Sequence, residues 1–236
     1  MKTSKLGSLF AIVLGATFIL WQSFTGASEV ATIIPSPVID SPKTNTNSLQ
    51  TAVIAGGCFW GMQGVFEHVN GVQKVLSGYS GGEKSTAEYE KVGTGTTGHA
   101  EAIQITFDPS QVSYGKLLQI YFSVAHDPTA LNRQGPDRGT QYRSAIFYTD
   151  ESQKNIAQAY IKQLNKSHAF SGEIVTRVDP NKAFYPAEDY HQDFLFYNPA
   201  YPYIVFNDLP KIDNLKRVFP SNYRKQAMLI NGKLAP

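Results

Sequence analysis

The 236-residue sequence predicts an α+β domain built as a two-layer sandwich around a mixed β-sheet. Three observations predict it. Short apolar runs with strand character alternate with amphipathic helical segments, but the alternation is irregular. Several of the strand-like runs lie close enough in sequence to pair directly, unlike the evenly spaced crossovers of a doubly wound fold. The composition, 42% hydrophobic and 17% charged, is that of an ordinary soluble domain, in a chain long enough for one well-cored unit plus an appendage.

Taken in order, Lys2 and Lys5 precede an uncharged stretch from Leu6 to Ala27 with its apolar heart at Leu9 to Trp21, so residues 1–27 read as a signal peptide or membrane anchor. The working domain is then expected outside the cytoplasm, periplasmic or secreted. Residues 28–48 are rich in Pro, Ser, Thr and Asn and read as a linker that cannot bury enough to fold. The domain is expected over 49–224, with a tail over 225–236.

Thr51 to Ala55 is an apolar run closed by Gly56-Gly57, which reads as a buried strand. Trp60, Val65, Phe66 and Val69 then fall at helical spacing, placing Cys58 at the first turn of a helix fed through a glycine pair. Val72 to Tyr79 is a second strand. Glu101 to Phe107 alternates Ile103, Ile105 and Phe107 with Gln104 and Thr106, a half-buried strand. Ser113 can cap a helix through Ser123, and Asp150 one to about Lys166. Ser144 to Tyr148 and Glu173 to Val178 read as strands, and Glu188 to Phe196 as a short helix.

A net charge of +2 with scattered Lys and Arg excludes a dominant electrostatic partner such as nucleic acid. The single cysteine excludes an intramolecular disulfide and any multi-cysteine metal centre. His99, His126 and His191 have no zinc-like spacing, and the glycine-rich stretches at 78–82 and 93–98 lack a phosphate-loop ending; neither a metal nor a bound cofactor is expected. His126-Asp127-Pro128 reads instead as a turn that organises the loop carrying Asp137 and Tyr142.

A buried cysteine is usually a small inert hydrophobe. Here Cys58 stands between glycines and beside Phe59 and Trp60, which supplies close backbone approach and an apolar wall. A helix N-terminus favours the thiolate, the nucleophilic form, by roughly 0.3–1 kcal/mol, or about one pKa unit at most in ordinary cases. That leaves the thiol largely protonated at neutral pH, so something else must complete its activation.

Gly57-Cys58-Phe59-Trp60-Gly61 resembles the signature of the A-type peptide methionine sulfoxide reductases. The resemblance continues through Gly78-Tyr79-Ser80-Gly81-Gly82, Glu88-Tyr89-Glu90-Lys91-Val92 and Gly98-His99-Ala100-Glu101. It extends through His126 to Thr129, Arg133 to Ser144, Ala187 to Gln192 and Pro210 to Tyr223, about residues 50–224 in the family's order. It implies a ferredoxin-like core and reduction of methionine S-sulfoxide, free or protein-bound, to methionine. Cys58 is implied to attack the sulfoxide sulfur, Phe59 and Trp60 to hold the substrate methyl group, and Glu101 to protonate the departing oxygen. Tyr89 and Tyr142 are implied to hold that oxygen, and Asp137 to order the polar network around it. An ionised Glu101 would oppose thiolate formation, so a neutral acid coupled to the thiol is expected.

Many members of that family resolve the resulting sulfenic acid with a second cysteine, which this sequence lacks. An external thiol, a small molecule or an exported thioredoxin-like protein, is therefore the expected reductant, acting on what is expected to be a monomer. Two other classes compete: a single-cysteine thiol peroxidase, for which the usual Thr-x-x-Cys context is absent, and a surface protein that only binds methionine-rich or oxidised partners.

Overall fold

The computed structural model describes residues 30–42 and 48–236, so the expected signal or anchor over 1–27 lies outside the described residues. Among the described residues, eight strands and six α-helices follow one another as β1 (Gln50–Ala55), α1 (Phe59–Glu67), β2 (Val72–Ser80), α2 (Tyr89–Val92), β3 (Ala100–Phe107), α3 (Tyr114–Ile120), β4 (Arg133–Gln134), β5 (Asp137–Arg138), β6 (Ala145–Tyr148), α4 (Glu151–Lys166), β7 (Arg177–Pro180), β8 (Phe184–Pro186), α5 (Phe194–Tyr197) and α6 (Leu209–Val218). Six strands form a single sheet in the order β7-β6-β1-β3-β2-β8, and β4 and β5 form a separate small hairpin. Only the β6–β7 pair is parallel, which makes the sheet mixed, as expected for an α+β sandwich. The path β1-α1-β2-β3-α3-β6 lays its four strands side by side as antiparallel neighbours.

Alternation along the strands sorts residues between two layers. Ile54, Val75, Ile103, Ile105 and Ile146 face α1, α3 and α4 in the main core with Val65, Phe66, Leu117, Leu118, Ile156 and Tyr160. Val53, Ala55, Ala100, Ala102, Ala145 and Phe147 form a thinner layer on the opposite face against Phe184. The expected caps are present: Ser113 Oγ accepts from Lys116 N at 3.2 Å and Asp150 Oδ1 from Gln153 N at 2.8 Å. Beyond Ile120 the helix continues as a π-helical turn, Tyr121–Ala125.

Elsewhere the structure departs from the sequence expectations. The strand expected at Glu173 to Val178 lies later, at Arg177–Pro180, where the parallel partner β6 is available. The helix expected at Glu188 to Phe196 is broken into a 3-10 turn, Asp189–His191, and α5, because Asp193 between them takes left-handed dihedrals (φ 52°). Residues 30–42, set within the linker, lie against α3 and α4. Ile34 is buried, Tyr160 donates to Pro35 O at 2.6 Å and Gln119 to Ile34 O at 2.9 Å. Composition forbids this segment a core of its own, yet its carbonyls find donors on two preformed helices.

Residues after Arg224 also pack. Met228 N donates to Glu67 O at 2.9 Å, and Ala227, Leu229 and Ala235 form a small cluster with Phe196.

Candidate active site

The strand-to-helix junction presents the thiol. Gly57 has φ +91°, and a side chain there would collide with Gln134, so only glycine makes this turn. Cys58 follows as the N-cap residue of α1, 8% exposed, with the Trp60 N–H directed at its sulfur. Gly61 has a different reason: a Cβ at this position would fall on the Asp208 carboxylate, which packs against the first turn of α1.

Glu101, at the start of β3, reaches across to the same helix end, where Phe59 N donates to its Oε2 at 3.0 Å. One of the orphan donors of α1 is thus assigned to a buried carboxyl group. Helix α2 brings Tyr89, and the segment between the π-helical turn after α3 and β6 brings Asp137 and Tyr142. Gln134 locks this loop to the turn at Asp127, accepting from Asp127 N at 3.0 Å and donating to Asp127 O at 2.7 Å. His126 in turn packs under Gly56 and bonds Ser144 Oγ at 2.7 Å. The His126-Asp127-Pro128 turn therefore does support the segment that carries Asp137 and Tyr142.

Cys58, Phe59, Trp60, Tyr89, Glu101, Asp137 and Tyr142 line one cavity of about 140 Å³, together with Tyr203. All seven residues singled out in the sequence converge there, from four separate segments. Tyr203, which the sequence did not single out, donates a short hydrogen bond to Asp137 Oδ2. As one tyrosine of thirteen, with no local pattern around it, it carried no signal in the sequence. The aromatic wall is held from behind: Trp60 stacks on Phe194 at 3.9 Å between ring centroids and donates from Nε1 to His191 Nδ1 at 3.1 Å. His191 also packs against Phe59 and Tyr89, at 5.0 and 4.4 Å. Glu188 ties this segment to the opposite wall, accepting from Tyr89 N at 2.9 Å and Tyr79 OH at 2.8 Å. His99 and His126 are committed likewise to backbone and hydroxyl partners.

Burial sets the electrostatics. It pushes the Cys58 thiol well above its usual range, and Glu101 and Asp208 push it further when ionised; the Trp60 N–H works in the opposite direction. The expected favourable effect of the helix end is therefore present but outweighed by desolvation. Burial raises the Glu101 carboxyl to about 8, against the Phe59 N–H, which favours the charged form. Glu101 is thus predominantly a neutral acid at pH 7. Tyr89 is raised to about 12 by burial, and Tyr142 is raised too, so both remain hydroxyl donors. The cavity combines a protected thiol, a proton-bearing carboxyl, three phenols, one of them committed to Asp137, and an aromatic wall. That set can attack a soft electrophilic centre, protonate an oxygen on it and seat a small apolar group.

Comparison with known proteins agrees with this chemistry. The family model described as peptide methionine sulfoxide reductase matches residues 50–223. A peptide methionine sulfoxide reductase of Mesorhizobium japonicum is 62% identical over 181 residues, covering 77% of this chain and 93% of that protein. One from Synechocystis is 53% identical over 202 residues, covering 85% and 94%. Among solved structures, methionine sulfoxide reductase A of Corynebacterium diphtheriae superposes with a TM-score of 0.55 at 31% identity, over 72% of this chain and 88% of that one. Reduced Mxr1 from Saccharomyces cerevisiae gives 0.58 at 32% identity, over 67% and 91%. With its fold, its cavity and these relatives in agreement, the chain belongs to the peptide methionine sulfoxide reductase family.

Proposed function

We propose that the cavity at the N-terminus of α1 is where this enzyme reduces methionine sulfoxide, free or within proteins, with Cys58 as the nucleophile. The observation that carries this is the placement of a thiol and a neutral carboxylic acid in one small aromatic-walled cavity. Phe59 and Trp60 receive the methyl group. Tyr89 and Tyr142 donate hydrogen bonds to the sulfoxide oxygen, and Asp137, held by Tyr203, orders the polar side. A proton from Glu101 passes to that oxygen as Cys58 sulfur bonds to the sulfoxide sulfur, and the proton lost by the thiol restores Glu101. The S–O bond then breaks, the departing oxygen bonds to Cys58 sulfur, directly or as water, and the transient bond from Cys58 to the substrate sulfur breaks; methionine leaves reduced by two electrons and Cys58 is left as the sulfenic acid. Protonation by Glu101 and loss of the thiol proton are coupled, so the high resting pKa of Cys58 need not be overcome before substrate binds. The family resemblance supports the S epimer as the substrate.

Because Cys58 is the single cysteine of the sequence, two external thiol groups return the sulfenic acid to the thiol, releasing water and a disulfide. With residues 1–27 as signal or anchor, the reductant is an extracytoplasmic small thiol or thioredoxin-like protein; cell fractionation tests that placement. The central experiment is a single turnover of the S-sulfoxide peptide without reductant. The expected result is about one methionine per protein, with a trappable sulfenic acid at Cys58; release near zero refutes the mechanism. Running a peroxide in parallel with dithiothreitol tests the peroxidase alternative, which faster peroxide turnover would favour.

A further inference from the structure

At the end of α1 opposite Cys58, a second group of buried polar side chains has no contact with the cavity. Asp193 is 4% exposed and Glu67 1%. Asp193 holds φ 52°, and its two carboxylate oxygens accept from Ile230 N at 3.2 and 3.3 Å. Gln63, on α1, closes the other side: its Oε1 accepts from Asp193 N at 3.0 Å and its Nε2 donates to Asp193 Oδ1 at 3.4 Å. Glu67 shares a side-chain hydrogen bond with Asp193, and burial favours the protonated form of Glu67, so Glu67 is the donor.

The residue after Asp193 is Phe194, whose ring stacks on Trp60 at an interplanar angle of 11°. Two residues further on, Phe196 packs on Ala227, Leu229 and Ala235 of the tail. The four-residue helix α5 is therefore clamped between the tail and the aromatic wall, and it is too short to hold itself.

We infer that Asp193 is a positioning residue that couples the C-terminal tail, residues 225–236, to the methyl-binding wall through Phe194 and Trp60. This rests on the assignment of Trp60 as that wall. Fixing Ile230 N–H and the left-handed turn in one residue sets where Phe194 lies, and Phe194 sets the plane of the indole. Loosening the clamp should weaken seating of the substrate while leaving the reacting thiol and acid in place.

Asp193→Gly removes the carboxylate yet accepts the left-handed dihedrals without strain, whereas Asp193→Asn keeps an acceptor and also tolerates them. Both are made in the full chain carrying Trp21→Phe, which leaves Trp60 as the single tryptophan. For Asp193→Gly the expected result is a KM for the sulfoxide peptide raised roughly fivefold, the scale of one lost hydrogen bond, with kcat within about twofold. Trp60 emission should shift to longer wavelength, and Asp193→Asn should restore both. Deleting 225–236 should reproduce the emission shift in whatever fraction remains folded. Unchanged KM and emission in Asp193→Gly would overturn the coupling, as would a fall in kcat alone that tracks the folded fraction. If the parent protein reduces no sulfoxide, the assignment of the wall fails, while emission still reports whether Asp193 positions Trp60.

Discussion

The two ends of α1 each bury an acid whose carboxyl is pushed upward by desolvation, Glu101 at one end and Glu67 at the other. Only the first fits the proposed reaction site. Glu101 receives an orphan N–H of the helix start, faces a thiol and opens onto a cavity. Glu67 sits at the last turn, where the tail and Asp193 fill the available space and Met228 N satisfies its backbone carbonyl. A perturbed carboxyl is thus a candidate for chemistry only when an empty volume and a partner atom accompany it. The helix start supplies donors that want an anion or acid; the helix end supplies carbonyls that want the chain's own N–H groups.

The contrast can be broken most severely at the thiol. Cys58→Ser should lower single-turnover methionine release by on the order of 10⁴-fold, with the folded state unchanged by circular dichroism. Glu101→Gln should cost roughly 10²- to 10⁴-fold in the chemical step, the usual range for a general acid. Its pH profile sharpens the point. The native rate should fall as pH rises through about 8, where Glu101 loses its proton, and the variant should lack that limb.

The same raised pKa has a stability consequence. Folded Glu101 binds a proton that the unfolded chain releases near 4.5, so native stability declines as pH climbs from about 4.5 to about 8, by an amount on the order of a few kcal/mol. Glu101→Gln should flatten that decline in denaturant titrations. Tyr89→Phe and Tyr142→Phe, each removing one donor to the oxygen, should slow single turnover by roughly tenfold apiece. At the far end of the helix, Glu67→Gln should leave the rate within about twofold, because its amide can still donate to Asp193. It should also lessen the loss of stability as pH rises above the ordinary carboxylate range, since the neutral form is the one the fold buries, a change that denaturant titrations at several pH values would read.

Legibility in the sequence followed locality. β1, β3, the Ser113 and Asp150 caps and the entry into α1 each depend on residues within a few positions, and those expectations match the structure. β8 and the β4–β5 hairpin span only two or three residues each, too few for a period, and exist because β2 or a facing partner offers hydrogen bonds. The Glu188 to Phe196 segment scores as a helix by composition, but Asp193 is drawn into a left-handed turn by Gln63 and Ile230, which lie 130 and 37 residues away. Residues 30–42 looked incapable of folding because their composition was weighed alone, without the surface of α3 and α4 beneath them.

By itself the sequence determined the α+β class, the proposed nucleophile and, through several family-like blocks, the set of seven cavity residues. Tertiary structure decided what those residues are electrostatically: burial holds Cys58 more firmly as a thiol and makes Glu101 a neutral acid, the reverse of what that carboxyl is in water. It also added Tyr203 and the tail's clamp on Asp193, which depend on long-range approach rather than on neighbours in the chain. Identity and periodicity are local properties that a sequence records; desolvation and the meeting of distant segments are properties of the closed fold.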